Sequence, residues 1–366
     1  MDVMRETASG LQSRRNFVKL LAAIGASSFF AGDSSQAQSA PAQGRPIDVH
    51  FHYMSPNFHA ALSRRNAVTP VANNLDRFKD PSADKLLEQM DQGGVGTAML
   101  SPYVGNTGFW FGDVEEARRL ARDLNEWATT TLVNGRKGRF GLFAALPMPD
   151  VEGTLREIDY AFNTLKVDGV AMTTSYANKY LGDESFAPVF EALDRHHAVV
   201  YTHPLQPDCC RSPLPGVAPQ TLEYPTDTAR TTLSLIQGNA AARTPNVRFI
   251  FSHAGGTLVG LAQRILGAQV TAASLAKPTE PNSRLHHVRR FYYDTAGSAN
   301  PIQMGSLKLL VPASQIVLGT DFPLLNLKET VDALQTSGFT PDELRGVYRG
   351  NAFKMLPDYT QQRLAS

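Results

Sequence analysis

The stretch Ile47-Asp48-Val49-His50-Phe51-His52 sets how the rest of this chain is read. It is a short apolar run that ends in two histidines separated by one residue. On a strand, side chains at i and i+2 point to the same side, so both imidazoles can meet one ion while Phe51 packs the other way. A lone His-x-His is a weak metal signal. Its meaning depends on what other strands bring to the same place.

Downstream, apolar strand-like runs recur with helical stretches between them. A polar loop, Tyr53–Asn74, leads to a helix near Ser82–Gly93, with Ser82 as N-cap and Leu86, Leu87 and Met90 as its apolar stripe. Thr97–Pro102 reads as the second strand, and Asp113 starts a helix to about Asn134. Phe140–Leu146 is the third strand, stopped by Pro147-Met148-Pro149-Asp150. Helix Val151–Leu165 precedes strand Gly169–Thr173, and helix Glu184–His196 precedes strand Ala198–Thr202. A long loop then leads to a helix expected from about Thr226 to Ala242. Val247–Ser252, Phe291–Asp294 and Ile316–Gly319 complete the strands, and Asp342–Tyr348 is a closing helix. Strands alternating with helices imply a parallel sheet, and the count of strands predicts a (β/α)8 TIM barrel over residues 45–366. A doubly wound open sheet is the alternative.

The chain has 366 residues, 42% of them hydrophobic, which is enough for a large core. Its net charge is +1 with acidic and basic residues well mixed, so no electrostatic footprint for nucleic acid appears. No apolar run reaches the roughly 18 residues of a membrane span. Ser13-Arg14-Arg15-Asn16-Phe17-Val18-Lys19 precedes a moderately apolar run, Leu20–Gly32, and a small, polar stretch, Asp33–Gly44. Twin arginines in that setting predict that residues 1–44 are a Tat signal peptide and flexible segment, cut after Ala37 or Ala42. The mature protein is then periplasmic or secreted, handed to the Tat machinery already folded. The only cysteines, Cys209 and Cys210, are adjacent, and a bond between neighbours is strained. No disulfide framework is expected.

Polar residues recur at one place, the C-terminal ends of strands. These are His50 and His52 on the first strand, His203 on the fifth, His253 on the sixth and Asp321 on the eighth. In a barrel those ends converge on one mouth. Each residue has a plain structural reading: His203 before Pro204 bonded to a loop carbonyl, His253 serving the Gly255-Gly256 turn, Asp321 as a cap. Together, three imidazoles and a carboxylate suit a divalent ion.

Asp48-Val49-His50-Phe51-His52, His203-Pro204, Phe251-Ser252-His253-Ala254-Gly255-Gly256, Gly319-Thr320-Asp321-Phe322-Pro323 and Gly350-Asn351-Ala352 look like the amidohydrolase superfamily. More closely, the chain resembles the branch containing aminocarboxymuconate-semialdehyde decarboxylase. Arg139–Pro147 and Asp168-Gly169-Val170 also look like the 6-methylsalicylate and dihydroxybenzoate decarboxylases of that branch. The resemblance covers about residues 46–355. It implies His50, His52, His203 and Asp321 as metal ligands and His253 as a catalytic histidine. Binuclear relatives carry a carboxylated lysine or a glutamate at the end of strand four; here Ala171-Met172-Thr173-Thr174-Ser175 has neither, which implies one metal. Some benzoate decarboxylases have Glu in place of the first histidine, whereas this sequence keeps His50.

Two chemistries fit such ligands. In a hydrolase, a metal-bound water loses its proton to Asp321 or His253 and attacks a carbonyl. In a decarboxylase, Asp321 or His253 delivers a proton to a ring carbon as carbon dioxide leaves. The resemblance implies decarboxylation of an aromatic or enolic carboxylic acid, with hydrolysis of an ester, lactone or amide as the alternative. An exported metal-binding protein without turnover is a third reading. The ion is zinc or manganese, with zinc favoured, and the resemblance implies a homodimer. Phe109, Trp110 and Phe111 follow the second strand and are candidates to stack an aromatic substrate, or else a cluster covering the barrel. Arg230 is a candidate carboxylate clamp, or a partner in a surface salt bridge. His59, His196, His197, His286 and His287 receive no catalytic role. Asp294, ending the seventh strand, is expected to brace the mouth through hydrogen bonds.

Overall fold

A computed structural model of the protein describes residues 44–68, 74–80, 82–105, 109, 112–136, 138–211, 214–267 and 270–365. The twin-arginine stretch and the rest of 1–43 lie outside them, as do Trp110 and Phe111. Eight strands form one parallel sheet in sequential order: β1 Ile47–Tyr53, β2 Thr97–Pro102, β3 Phe140–Ala145, β4 Gly169–Thr173, β5 Val199–His203, β6 Arg248–Phe251, β7 Tyr292–Asp294 and β8 Ile316–Val317. A two-stranded hairpin, Ser175–Tyr176 with Lys179–Tyr180, lies outside the sheet.

The sheet closes through the residues after β8. Val49 N–H donates to Leu318 O, Asp321 N–H to His50 O and His52 N–H to Phe322 O, at 2.9, 2.9 and 2.7 Å. The Asp48 carboxylate, buried in the seam, accepts from the backbone N–H groups of His50 and Thr320 and from the Thr320 hydroxyl. The barrel interior is filled by one residue set drawn from successive strands, including Ile47, Val49, Met99, Phe143, Val199, Tyr201, Ile250 and Val317. A second cluster lies between the outer strand faces and the helices. This is the alternation that a closed parallel barrel needs.

β1 departs from strict alternation. Its register with β2 runs Asp48↔Ala98 and then Phe51↔Leu100, so one extra residue is accommodated between them. This β-bulge lets Val49 fill the interior while His50 and His52 also face the barrel axis. Phe51 is thereby turned outward, where its ring stacks on Phe322 at 4.5 Å.

Helices alternate with the strands: α1 Pro56–Val68, α2 Ala83–Gln92, α3 Val114–Trp127, α4 Val151–Tyr160, α5 Ala187–Arg195, α6 Pro219–Gln237, α7 Arg284–Arg290, α8 Pro301–Leu310, α9 Leu327–Leu334, α10 Asn351–Met355 and α11 Asp358–Ala365, with shorter turns between. Two expectations are corrected. The stretch 53–74 is not all loop, because Phe58, Ala61 and Leu62 lie at helical spacing and are buried, and the Ser55 hydroxyl accepts from Phe58 N–H to start α1. The helix expected from Thr226 begins instead at Pro219 and carries Pro225 inside it. Ser82 occupies the N-cap position of α2 but makes no side-chain cap bond. Among the described residues, no helix is long and apolar enough to cross a membrane.

At the N-terminal end of the strands, α10 and α11 form a floor. Ala352 and Met355 enter the interior cluster. Asp168, just before β4, accepts from Leu142 N–H at 2.7 Å, from the Thr360 hydroxyl, and from Arg363 Nη2 at 2.7 and 2.8 Å.

Candidate metal centre

The C-terminal ends of β1 and β5 and the segment after β8 deliver four groups to one point. One ligand atom from each of His50, His52, His203 and Asp321 lies within 4.8 Å of every other. His50 Nε2 and His52 Nε2 are 3.1 Å apart, and each is 3.2 Å from Asp321 Oδ1. The His203 ring sits 4.8 Å from that of His52 and 5.3 Å from that of His50. His50 and His52 are almost fully buried and Asp321 nearly so.

The partners of these rings on their far sides fix which nitrogen faces inward. His50 Nδ1 lies 2.8 Å from Asp294 Oδ2, so Nδ1–H donates outward and Nε2 is turned to the cluster. His203 Nδ1–H donates likewise to the carbonyl of Pro204 at 2.8 Å, and His52 Nδ1 pairs with the Ser101 hydroxyl at 3.2 Å. Such outer hydrogen bonds are how proteins orient metal-binding imidazoles. Asp294 also accepts from the backbone N–H groups of His253 and Ala296 at Oδ1. It braces the mouth, joining the β1 histidine to the loop after β6.

Three inward lone pairs and a carboxylate oxygen crowd together, and buried Asp321 Oδ1 has no hydrogen-bond partner. That arrangement requires a positive charge at its centre. Burial lowers His50, but the carboxylates of Asp294 and Asp321 outweigh it and push the imidazole up to about 10. Burial lowers His203 well below its usual range, with His52 and His50 adding to the effect, and burial also lowers His52. Burial works to raise Asp321, yet His50 and His52 hold its carboxyl well below the usual carboxylate range. The raised His50 marks a centre that attracts positive charge, and a divalent ion there would take the place of its proton, so the residues fit one.

Two of the site residues carry backbone strain. His253 and Asp321 both sit at positive φ, 56° and 62°, a conformation costing on the order of 1 kcal/mol or more for a residue with a side chain. Two hydrogen bonds hold them there, Asp294 Oδ1 receiving His253 N–H and His50 O receiving Asp321 N–H. Glycine is required beside both. A Cβ on Gly256, at φ 61°, would lie 1.9 Å from Pro225 O, and one on Gly319 would meet Asp294 and His50 side chains at 2.7–2.8 Å.

A cavity of about 500 Å³ opens directly over the quartet and is lined by His203, His253 and Asp321. The His253 ring is 5.1 Å from His50 and 5.7 Å from His203, with Nδ1 bonded to Ala296 O at 3.0 Å, which turns Nε2 toward the cavity. Tyr103 and Tyr224 form its aromatic wall, with Tyr103 stacked on Phe78 at 4.8 Å. Amides of Asn74, Gln220 and Gln303 and the hydroxyls of Thr221 and Ser298 add polarity, and Pro225, Leu324 and Leu325 an apolar patch.

The structure brings His50, His52, His203, His253 and Asp321 together, and places other candidates elsewhere. Phe109 is buried with its ring 4.8 Å from Phe58, in the cluster covering the barrel, and does not line the cavity. Arg230 does not line it either. Its guanidinium lies 3.7 Å from Asp227 and 3.7 Å from the Cys210 thiol. Asp227 in turn accepts from the Thr174 and Tyr180 hydroxyls, so Arg230 belongs to a brace between α6 and the loops after β4 and β5. Cys209 and Cys210 are free thiols. Nothing local in the sequence singles out the two tyrosines. Tyr103 follows Pro102 at a strand end, where a mouth residue is expected, but Tyr224 was hidden in a stretch that Pro225 made look like loop.

An amidohydrolase family model matches residues 47–357. The chain belongs to the amidohydrolase family. Among curated relatives of this amidohydrolase, decarboxylase yanB of Aspergillus niger is 32% identical over 336 residues, 86% of this chain and 88% of that protein. A 6-methylsalicylic acid decarboxylase of Penicillium expansum is 32% identical over 328 residues, covering 85% and 96%. Among solved structures, dihydroxybenzoic acid decarboxylase from Polaromonas sp. JS666, with bound manganese and 2-nitroresorcinol, superposes with TM-score 0.70 at 21% identity over 85% of this chain and 96% of that one. At that identity the likeness concerns the fold.

Proposed function

We propose that this amidohydrolase is a metal-dependent, non-oxidative decarboxylase, a carboxy-lyase acting on an aromatic or enolic carboxylic acid such as a hydroxybenzoate. The observation that carries the reading is the His50–His52–His203–Asp321 quartet opening, beside His253, into a cavity of about 500 Å³. The relatives named as decarboxylases, matched along most of the chain, support it.

The quartet would hold a divalent ion, whose charge would attract a substrate carboxylate. Tyr103 and Tyr224 offer flat faces between which a ring is oriented. The carboxylate carbon–ring bond breaks, carbon dioxide departs, and a proton must reach the ring carbon. His253 Nε2 faces the cavity and is placed to deliver it; Asp321, the second candidate, is held ionised by His50 and His52 and would first have to take up a proton.

Purified, metal-replete protein incubated with a panel of hydroxybenzoates should release carbon dioxide. Release only of hydrolysis products from esters, lactones or amides would replace this reading with the hydrolase one. A full metal complement with no turnover on any panel would support a binding protein. We propose zinc as the ion, because an imidazole-rich set suits it, with manganese as the alternative; elemental analysis of the purified chain decides.

We infer that the protein is exported folded through the Tat route and is periplasmic or secreted. The support is Arg14-Arg15 ahead of the apolar run Leu20–Gly32. Replacing both arginines by lysine should retain the full-length precursor in the cytoplasm. A homodimer is the assembly implied by the resemblance, and light scattering tests it.

A further inference from the structure

The loop after β5 carries two nucleophilic groups that the metal centre does not use. Cys209 and Cys210 are free thiols in the short turn Asp208–Cys210, with Cys209 exposed and Cys210 half-buried. Neither is among the described residues lining the cavity over the quartet. The turn is held around the pair. Cys210 N–H donates to Pro207 O at 3.0 Å, Gln206 Nε2 donates to Cys210 O at 3.3 Å, and Arg211 pairs with Asp208.

The two sulfurs have different surroundings. The Cys209 thiol is pushed up, first by its hydrogen bond with Cys210. Cys210 Sγ also accepts from Arg230 Nη2 at 3.7 Å. The other terminal nitrogen of that guanidinium, Nη1, is buried without a hydrogen-bond partner and lies 3.7 Å from Asp227 Oδ1. Asp227 is itself committed to the Thr174 and Tyr180 hydroxyls, which leaves Arg230 able to face a second negative group. Thiol–disulfide exchange develops that charge on the attacking and departing sulfurs, and a cation beside them favours it.

Adjacency in the chain decides the outcome of such a reaction. A bond between neighbouring cysteines closes a small, strained ring. A strained disulfide is readily reduced again, so the pair suits a reversible exchange rather than a staple for the fold.

We propose that Cys209 and Cys210 form a thiol-exchange site that takes a low-molecular-weight disulfide. Cys210 attacks one sulfur of that disulfide, and the other sulfur leaves and takes up the proton from Cys210. Cys209 then gives up its proton, attacks the Cys210 sulfur of the mixed disulfide and expels the second small thiol. Two protein thiols become one disulfide while one external disulfide becomes two thiols, so protons and electrons balance. The site stands independently of the decarboxylase reading.

Full-length protein incubated with glutathione disulfide, followed by intact mass, peptide mapping and thiol titration, tests this. The parent should lose two hydrogens and both titratable thiols, and should recover them in reduced glutathione. Cys209→Ser should stop at a glutathione adduct on Cys210, and Cys210→Ser should react at least about 10-fold more slowly than Cys209→Ser. Phenylarsine oxide, which bridges two close thiols with loss of water, checks the pair without any substitution, and one arsenic should be bound per chain. A lasting glutathione adduct on the parent, disulfides between chains, a bond that reduced glutathione leaves intact, equal rates for the two variants, or no arsenic bound overturns the proposal.

Discussion

The two ends of the barrel each bury a carboxylate, and they treat it in opposite ways. At the floor, Asp168 receives hydrogen bonds from Leu142, Thr360 and both oxygens' contacts with Arg363, so α11 is pinned to the strands by a satisfied ion pair. At the mouth, Asp321 Oδ1 is buried with no hydrogen-bond partner, facing two imidazole nitrogens at 3.2 Å on a residue with positive φ. A satisfied buried charge holds the fold, whereas a crowded and unsatisfied one is held by the fold for a ligand. The difference teaches which end is costly and which end is stabilising, and single substitutions separate them.

The largest effect is expected at the mouth. Asp321→Ala should lower decarboxylation by roughly 1,000-fold or more and reduce bound metal, while unfolding in urea stays near that of the metal-free parent. A variant that kept its ion and its rate would erase the distinction drawn above. Asp168→Ala should do the reverse. Leaving Arg363 without its buried partner costs about 3–5 kcal/mol of unfolding free energy, with the metal stoichiometry of the folded fraction unchanged; a loss below about 1 kcal/mol would mean that α11 is held mainly by apolar packing.

Asp294→Asn probes the link between ligand and brace. Weakening the acceptor of His50 Nδ1–H should reduce metal affinity by about 10- to 100-fold, measured by competition with a chelator. An unchanged affinity would leave Asp294 as a support for the loop of His253 alone. The smallest expected effect lies in the helical layer. Burial lowers His287 in α7 to about 4, with Arg290 and His286 adding to the shift. Its contribution is therefore complete above pH 6.5, the ordinary histidine value, and is lost as pH falls toward 4, because the unfolded chain binds the proton more readily in that window. His287→Gln should flatten the dependence of the urea midpoint between these pH values.

Much of this was legible in residue order. Apolar runs of strand length separated by helical periods gave the eight-stranded barrel, and β2 and β4 fall on the expected bounds. Histidines at i and i+2, a His-Pro, a His before Ala254-Gly255-Gly256 and a Thr-Asp after the last strand marked the mouth, because the C-terminal ends of barrel strands converge on one face. Local patterns failed where packing overrode them. α1 was masked by polar residues on its exposed face, and α6 by Pro225, which a helix tolerates when neighbouring structure holds it.

Residue types and spacing determined the barrel and its polar mouth, with a donor set that suits a divalent ion. They could not rank Phe109, Arg230 and Tyr224 as cavity residues, since each lies on a loop or helix whose direction is set by contacts distant in sequence. Phe58 took the first into the cover of the barrel, Asp227 took the second into a brace, and the course of α6 placed the third over the quartet. The bulge in β1 was equally invisible, because it exists only as a register against β2. His50-x-His52 supplied two imidazoles, but the extra residue between Asp48 and Phe51 aims them at the barrel axis, and a register is a property of two strands together.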